Sequence, residues 1–259
     1  MTPGQIPDGY LEHAPPPSLR EYVECFWTRG APLPNATVEH IIPDGGIDLV
    51  LGYGGAKAAE RPNAMLAVGT MTRPLILGSQ EERQLAFVGV RFWPGRALPF
   101  LGVPAAELTD LRVDIAELWP NRGATLERLE GYDAAAVRRA FEELLIHRLE
   151  RARPLDMTVD GAVRAILRAG GNLSIAALAP ALGVTRQHMA RAFALHVGVP
   201  PKMFARVARV RRALAKARVA ASLDWATLAL EVGYYDQSHL AGEVKEITGR
   251  TPSEWLVSA

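Results

Sequence analysis

Between Ser174 and Gly249 the chain runs through one short plan twice. Ser174 precedes IAALAPAL and Gly183, and Thr185 precedes RQHMARAFALHV and Gly198. Further on, Asp224 precedes WATLALEV and Gly233, and Asp236 precedes QSHLAGEVKEIT and Gly249. Each opening residue has a short side chain that can accept the free N–H groups of a helix start. Each closing glycine can adopt the left-handed torsions of a helix end. Two short helices about a Gly-containing turn make a helix-turn-helix, whose second helix can enter the major groove of DNA. One such pair would describe any α-hairpin. Two in tandem, joined by a long helix that follows Pro200-Pro201 and runs from Lys202 to about Arg218, constrain the fold much more.

Charge is divided in the same way. Residues 1–154 hold 16 Lys/Arg and 20 Asp/Glu, a net of −4, whereas residues 155–259 hold 13 and 8, a net of +5. From Gly161 to Leu223 there is no acid at all, against 11 Lys/Arg. A long acid-free basic block inside a chain of net charge +1 points to a polyanion partner, with a solvated helical surface as the plain alternative. A length of 259 residues suits two domains, each with its own core. Every apolar run is broken well short of the roughly 20 residues a bilayer span needs, so no membrane partner is expected. The first residues lack an apolar segment behind a basic start, and Cys25 is the only cysteine. The expectation is therefore a cytoplasmic protein without disulfides or a cysteine zinc site.

The first hundred residues read differently from the rest. Short β-rich runs at 38–42, 47–53, 65–70, 73–77 and 85–93 are punctuated by PDGG, GYGG and WPG. Such spacing predicts a β-sandwich or barrel. A helix is expected over 18–27. At 134–153 the periodicity is helical and puts Val137, Phe141, Leu144 and Leu145 on one face. That stripe is expected to pack on the β-rich domain, with a contact between two copies of the chain as the alternative. Pro154 ends it, which sets the domains at 1–154 and 155–259.

The C-terminal residues LSIAALAPALGVTRQHMARAF (173–193), GVPPKMF (198–204), RVRRAL (209–214) and VGYYDQSHLAGEVKEITGRTPSEW (232–255) resemble the DNA-binding domain of the AraC/XylS family of transcription regulators. The closing Gly-x-Thr-Pro-x-x-Trp is similar to the end of that family's signature. The resemblance implies an α+β chain: a β-rich, cupin- or jelly-roll-like sensor followed by an all-α domain of two helix-turn-helix units. It also implies a regulator of double-stranded DNA in which an effector changes either DNA binding or contact with RNA polymerase. It implies neither catalysis nor a cofactor. With both units docked, one chain would cover two major-groove segments about 10 bp apart, and a homodimer would double that site.

In the first recognition helix the family's groove-facing positions fall on Arg186, Gln187, Ala190 and Arg191. Arg can bond guanine and Gln adenine in bidentate fashion. Met189 and Phe193 lie opposite and are expected in the core. On the linking helix Lys202, Arg206, Arg209, Arg212 and Lys216 fall within an arc of about 120°, a stripe suited to phosphates, with Phe204, Val207, Val210, Leu214 and Ala217 opposite. Arg211 and Arg218 point into the apolar arc, and Arg211 is expected to be structural. The second unit offers Gln237 and Ser238, then Gly242 where the family usually has a basic residue. Residues 219–259 carry two cations and six acids, net −4, and Glu243 there is expected to repel phosphates. The first unit is therefore expected to supply most of the affinity and base reading. Pro180 is expected to kink the first scaffold helix.

Candidate effector-lining residues in the β-rich half are Trp27, His40, Asp44, Asp48, Arg91 and Trp93. Glu39-His40 invites a metal reading, but the half holds only His13, His40 and His147, with no His-x-His pair. No metal is expected; His40 and Asp44 are expected to hold the PDGG turn instead. A metal-dependent enzyme is disfavoured on the same ground, and no Gly-x-Ser-x-Gly nucleophile motif occurs. A helix-turn-helix protein that no longer binds DNA and serves as an interaction module is the remaining alternative.

Overall fold

The computed structural model describes residues 9–30, 39–53, 65–77, 86–119, 134–149, 155–220 and 224–257. The chain is α+β, with a β-rich N-terminal part and a helical C-terminal part. Its strands are β1 (Tyr10–His13), β2 (Val23–Arg29), β3 (Glu39–Ile41), β4 (Ile47–Tyr53), β5 (Met65–Val68), β6 (Leu75–Leu77), β7 (Ala86–Phe92) and β8 (Arg112–Asp114). All pairings are antiparallel: a six-stranded sheet in the order β1-β2-β7-β4-β5-β8, and a separate β3-β6 pair.

The alternation of side chains sorts this sheet into two faces. Ile47, Leu49 and Leu51 on β4 and Val88, Val90 and Phe92 on β7 point into one core. Asp48, Gly89 and Arg91 lie on the other face. The helix expected over 18–27 does not form. Residues 18–22 make a turn, with Tyr22 N and Val23 N both donating to Leu19 O, and Val23 opens a strand. Pairing with β1 on one side and β7 on the other outweighs the local helical pattern, and Val23, Phe26 and Trp27 suit a pleated surface.

Helices α1 (Leu98–Leu101), α2 (Ile115–Leu118) and α3 (Ala134–Leu149) cover the core face, with a 3-10 segment at Ala105–Leu108. Val137, Phe141 and Leu145 of α3 are buried in this core and Leu144 packs against it. The apolar stripe of α3 therefore serves the β-rich part, and it is not free to meet a second copy. Pro154 lies outside the described residues. The N-terminal core ends on α3, and the next begins at Val159.

The helical part comprises α4 (Met157–Arg168), α5 (Ile175–Ala181), α6 (Arg186–His196), α7 (Pro201–Val219), α8 (Trp225–Glu231), α9 (Gln237–Thr248) and α10 (Pro252–Val257). The caps are those expected. Ser174 Oγ accepts Ala177 N at 3.3 Å, Thr185 Oγ1 accepts His188 N at 3.0 Å, and Asp236 Oδ1 accepts His239 N at 2.7 Å. Asp224 accepts Ala226 N and Thr227 N, and Gly183, Gly198, Gly233 and Gly249 all have positive φ. Pro180 sits one residue before the end of α5 with its ring exposed, so the bond it removes falls where the helix is finishing.

Helix α7 is the spine. Phe204, Ala205 and Ala208 enter a core with Ile166, Met189 and Phe193. Val207, Val210 and Leu214 enter a second core with Leu228, Leu240, Val244 and Trp255. Each helix-turn-helix unit is thus packed on its own stretch of one helix. No helix among the described residues is long and apolar enough to cross a membrane.

Candidate nucleic-acid interface

Helix α6 shows how one short sequence makes a core face and a bare face. Met189, Ala192 and Phe193 are buried, whereas Arg186, Gln187, Ala190 and Arg191 are exposed. Neither Arg186 nor Arg191 has an ion-pair partner among the described residues, because no acid from elsewhere in the fold is packed against this face. Lys202, at the start of α7, is likewise exposed, with no ion-pair partner among the described residues.

The rest of the expected basic stripe is engaged within the protein, with Lys216 in a surface pair. Arg206 Nε donates to Glu243 Oε1 at 2.7 Å and its Nη2 to Glu246 Oε2 at 2.6 Å. These bonds outweigh burial and hold the guanidinium above its ordinary pKa. Arg209 lies over the Tyr234 ring at 4.8 Å, donates to Gly233 O at 3.3 Å and has Nε 3.6 Å from Glu243 Oε2. Arg212 donates to Ala169 O at 3.1 Å, and Lys216 pairs with Glu231 at 2.7 Å. The periodicity was sufficient to align these cations but could not reveal that acids from α8 and α9 would be packed opposite them.

The same bonds correct the reading of Glu243. It is buried, with 8% of its surface exposed, and it accepts the Tyr234 hydroxyl at 2.5 Å as well as Arg206. Burial and this carboxylate push the Tyr234 hydroxyl far above its usual range. Glu243 joins α9 to α7 and does not face a phosphate. The other acids of the second unit also have local tasks. Asp224 and Asp236 cap helices, Glu231 and Glu246 pair with the linking helix, and Glu254 accepts Thr251 N at 2.7 Å. On α9 the exposed residues near the N-terminus are Gln237, Ser238 and His239, with Gly242 one turn on. A Cβ added at Gly242 would meet nothing within 4 Å.

In the β-rich part four of the six candidate residues come together. Trp27 Nε1 donates to Asp48 Oδ2 at 3.2 Å, and Arg91 Nε lies 3.2 Å from Asp48 Oδ1 and 3.1 Å from Asp44 Oδ2. The indole lies against Gly89, where any Cβ would fall 2.2 Å from it. Burial opposes charge on both aspartates. At Asp44 the Arg91 and Arg211 guanidiniums win and hold the carboxyl below its usual range, whereas at Asp48 burial wins and raises it. Burial also pushes the neighbouring Cys25 thiol up to about 12.

The other two candidates lie elsewhere. Trp93, beyond the end of β7, donates to Arg20 O at 3.3 Å. His40 on β3 faces Gly249, whose added Cβ would be 3.5 Å from His40 Nδ1. Within the PDGG turn Asp44 accepts Gly46 N at 2.9 Å, and no bond from His40 to the turn is seen among the described residues. Among the described residues no three His, Cys, Asp or Glu side chains are grouped as a metal ion would require. Arg211 is structural, as expected: its Nη1 donates to Asp44 O at 3.0 Å.

Comparison with known proteins matches this geometry. A family model described as a helix-turn-helix domain matches residues 178–257. The match spans both helix-turn-helix units and the helix that joins them. A second model, described as a domain of unknown function (DUF6597), matches residues 11–114. Similar solved structures include an AraC-type transcriptional regulator from Chromobacterium violaceum, 20% identical, covering 39% of this chain and 90% of its own, with a TM-score of 0.37. A probable AraC family regulator from Rhodopseudomonas palustris is 24% identical and covers 40% and 98%, with a TM-score of 0.36. ToxT from Vibrio cholerae is 12% identical and covers 96% and 98%, with a TM-score of 0.47. No curated protein matches the chain.

Proposed function

We propose that the chain is an effector-responsive regulator in which residues 155–259 read double-stranded DNA and residues 1–154 sense a small molecule. The bare cationic face of α6 carries this reading. Arg186, Gln187, Ala190 and Arg191 enter the major groove, where the two arginines and the glutamine suit base edges and phosphates. Lys202 adds a phosphate contact. Arg206, Arg209 and Arg212 hold the reader together from within. Gln237 and Ser238 supply uncharged contacts from the second unit, which leaves most of the affinity to the first. In the N-terminal part the sheet face bearing Trp27, Asp44, Asp48 and Arg91 is the effector surface, and His40 and Trp93 are not part of it. RNA polymerase and a second copy of the chain complete the set of partners, through surfaces other than the α3 stripe.

The test is fluorescence anisotropy of the full chain with a duplex from its own upstream region and a scrambled duplex, over a range of salt. Neutralising phosphates releases counterions, so affinity should fall steeply with salt while the upstream duplex stays preferred. Binding to neither duplex at low salt would leave a helix-turn-helix protein that acts as an interaction module.

A further inference from the structure

The end of the first recognition helix is gripped from outside the DNA-binding domain. Thr70, fully buried after β5, donates its hydroxyl to Val197 O at 2.5 Å. Thr109, after the 3-10 segment, donates its hydroxyl to Gly198 O at 2.7 Å. These carbonyls follow the last turn of α6, where a helix leaves carbonyls with no partner of its own.

Both threonines stand on a stiff base. Asp110 N donates to Thr70 O at 3.1 Å, while the Asp110 carboxylate accepts Thr72 N at 2.7 Å and Thr72 Oγ1 at 2.6 Å. Asp110 has a φ of 58°, a conformation that a non-glycine residue keeps only when its surroundings fix it. Other contacts from the same part reach the back of the reader: Arg96 pairs with Asp160 on α4, Arg211 with Asp44 O, and the Phe204 ring lies against Gly45. None of these contacts involves the exposed residues of α6 or α9, so the grip leaves both reading faces open.

We propose that Thr70 and Thr109 are positioning residues for DNA reading: their hydroxyls fix the C-terminal end of α6 and so set the angle at which Arg186, Gln187 and Arg191 meet the groove. The proposal rests on the DNA-reading function above. A lever explains the sensitivity. Arg186 is at the opposite end of α6 from the grip, about 15 Å away at 1.5 Å per residue. A tilt of about 10° at the grip moves Arg186 by about 2.5 Å, enough to lose a bidentate base contact but not a long-range phosphate attraction. Movement of the segments beside β5 and β8 that carry the threonines would therefore change which sequence is read more than how tightly DNA is held.

The experiment compares full chains carrying Thr70→Val with Thr109→Val, Thr70→Ser with Thr109→Ser, and Thr109→Val alone. The last, at the less buried site, serves if the double valine variant does not fold. The valine variants should lose preference for the upstream over the scrambled duplex, by about tenfold for the pair, and the serine variant should recover it. A role in stability alone would lower the active fraction without changing that ratio. An unchanged ratio in the valine variants would overturn the proposal. Hydrogen exchange provides a readout that needs no DNA. The Val197 and Gly198 amides, bonded to Phe193 O, should exchange faster in the valine variants and not in the serine variant. If the unsubstituted chain prefers neither duplex, the DNA-reading function fails on its own account. Unchanged exchange at those amides would then refute the grip separately.

Discussion

Counted from their caps, Met189 and Phe193 of the first recognition helix stand where Leu240 and Val244 stand in the second. Between them the two helices diverge. Arg191 corresponds to Gly242, and the small buried Ala192 corresponds to the buried carboxylate of Glu243. The first unit has no acid to satisfy its cations, so Arg186 and Arg191 remain available to a partner. The second has acids at the positions that face α7, and they take up Arg206, Arg209 and Lys216. A net charge summed over a segment therefore misleads. The −4 of the second unit is a sum over caps and struts, and beyond its Asp236 cap the exposed first turn of its recognition helix carries no acid. Where a charge points decides what it can bind.

This contrast can be broken most forcefully at Glu243. Glu243→Ala leaves Arg206 and Arg209 without their shared partner. Removing one member of a fully buried pair costs about 3–5 kcal/mol, and the partial exposure of both arginines brings the expectation to about 2–3 kcal/mol. Urea unfolding would measure it; a loss near zero would mean that Glu243 is not a strut. A smaller effect is expected at the caps. Thr185→Ala and Asp236→Ala should each cost about 1 kcal/mol, because each side chain holds one helix-start amide.

Gly242→Ala should act in the opposite direction. An added Cβ meets open space, so the variant should gain up to about 1 kcal/mol in the same measurement. A loss of stability would show that the glycine has a packing role. The smallest effect concerns pH. Burial holds the His196 ring below its ordinary pKa, against the pull of the Asp156 carboxylate 3.8 Å away. Below about pH 6.5 the unfolded chain then binds more protons than the folded one, so stability falls as pH drops through that value. His196→Gln should flatten the urea midpoint between pH 7 and pH 5.

How much of this could be read in the sequence depends on how local the signal is. Caps and glycine stops are written within a few residues of each other, and Ser174, Thr185, Asp224 and Asp236 all act as their positions implied. The β-rich runs between 38 and 93 were legible from their composition and turns. Strand β2 was not, because its conformation is imposed by neighbours distant in sequence. The stripe on α7 was legible as a stripe, but the destinations of its arginines depend on acids that lie 37 and 40 residues away. In the β-rich part, Trp27, Asp44, Asp48 and Arg91 met because β2, β4 and β7 are adjacent. His40 was drawn off to the C-terminal part, a contact with no local signature.

On this reading the cations of the first unit meet DNA, whereas the acids of the second unit hold the linking helix. The most direct test is the slope of log affinity against log salt for two variants of the full chain, one with Arg186→Gln and Arg191→Gln, the other with Gln237→Ala and Ser238→Ala. If both arginines neutralise phosphates, the first variant should lower the slope by about 2 and weaken binding strongly, while the second leaves the slope unchanged. An unchanged slope in the first variant, with the larger loss of affinity in the second, would contradict the account.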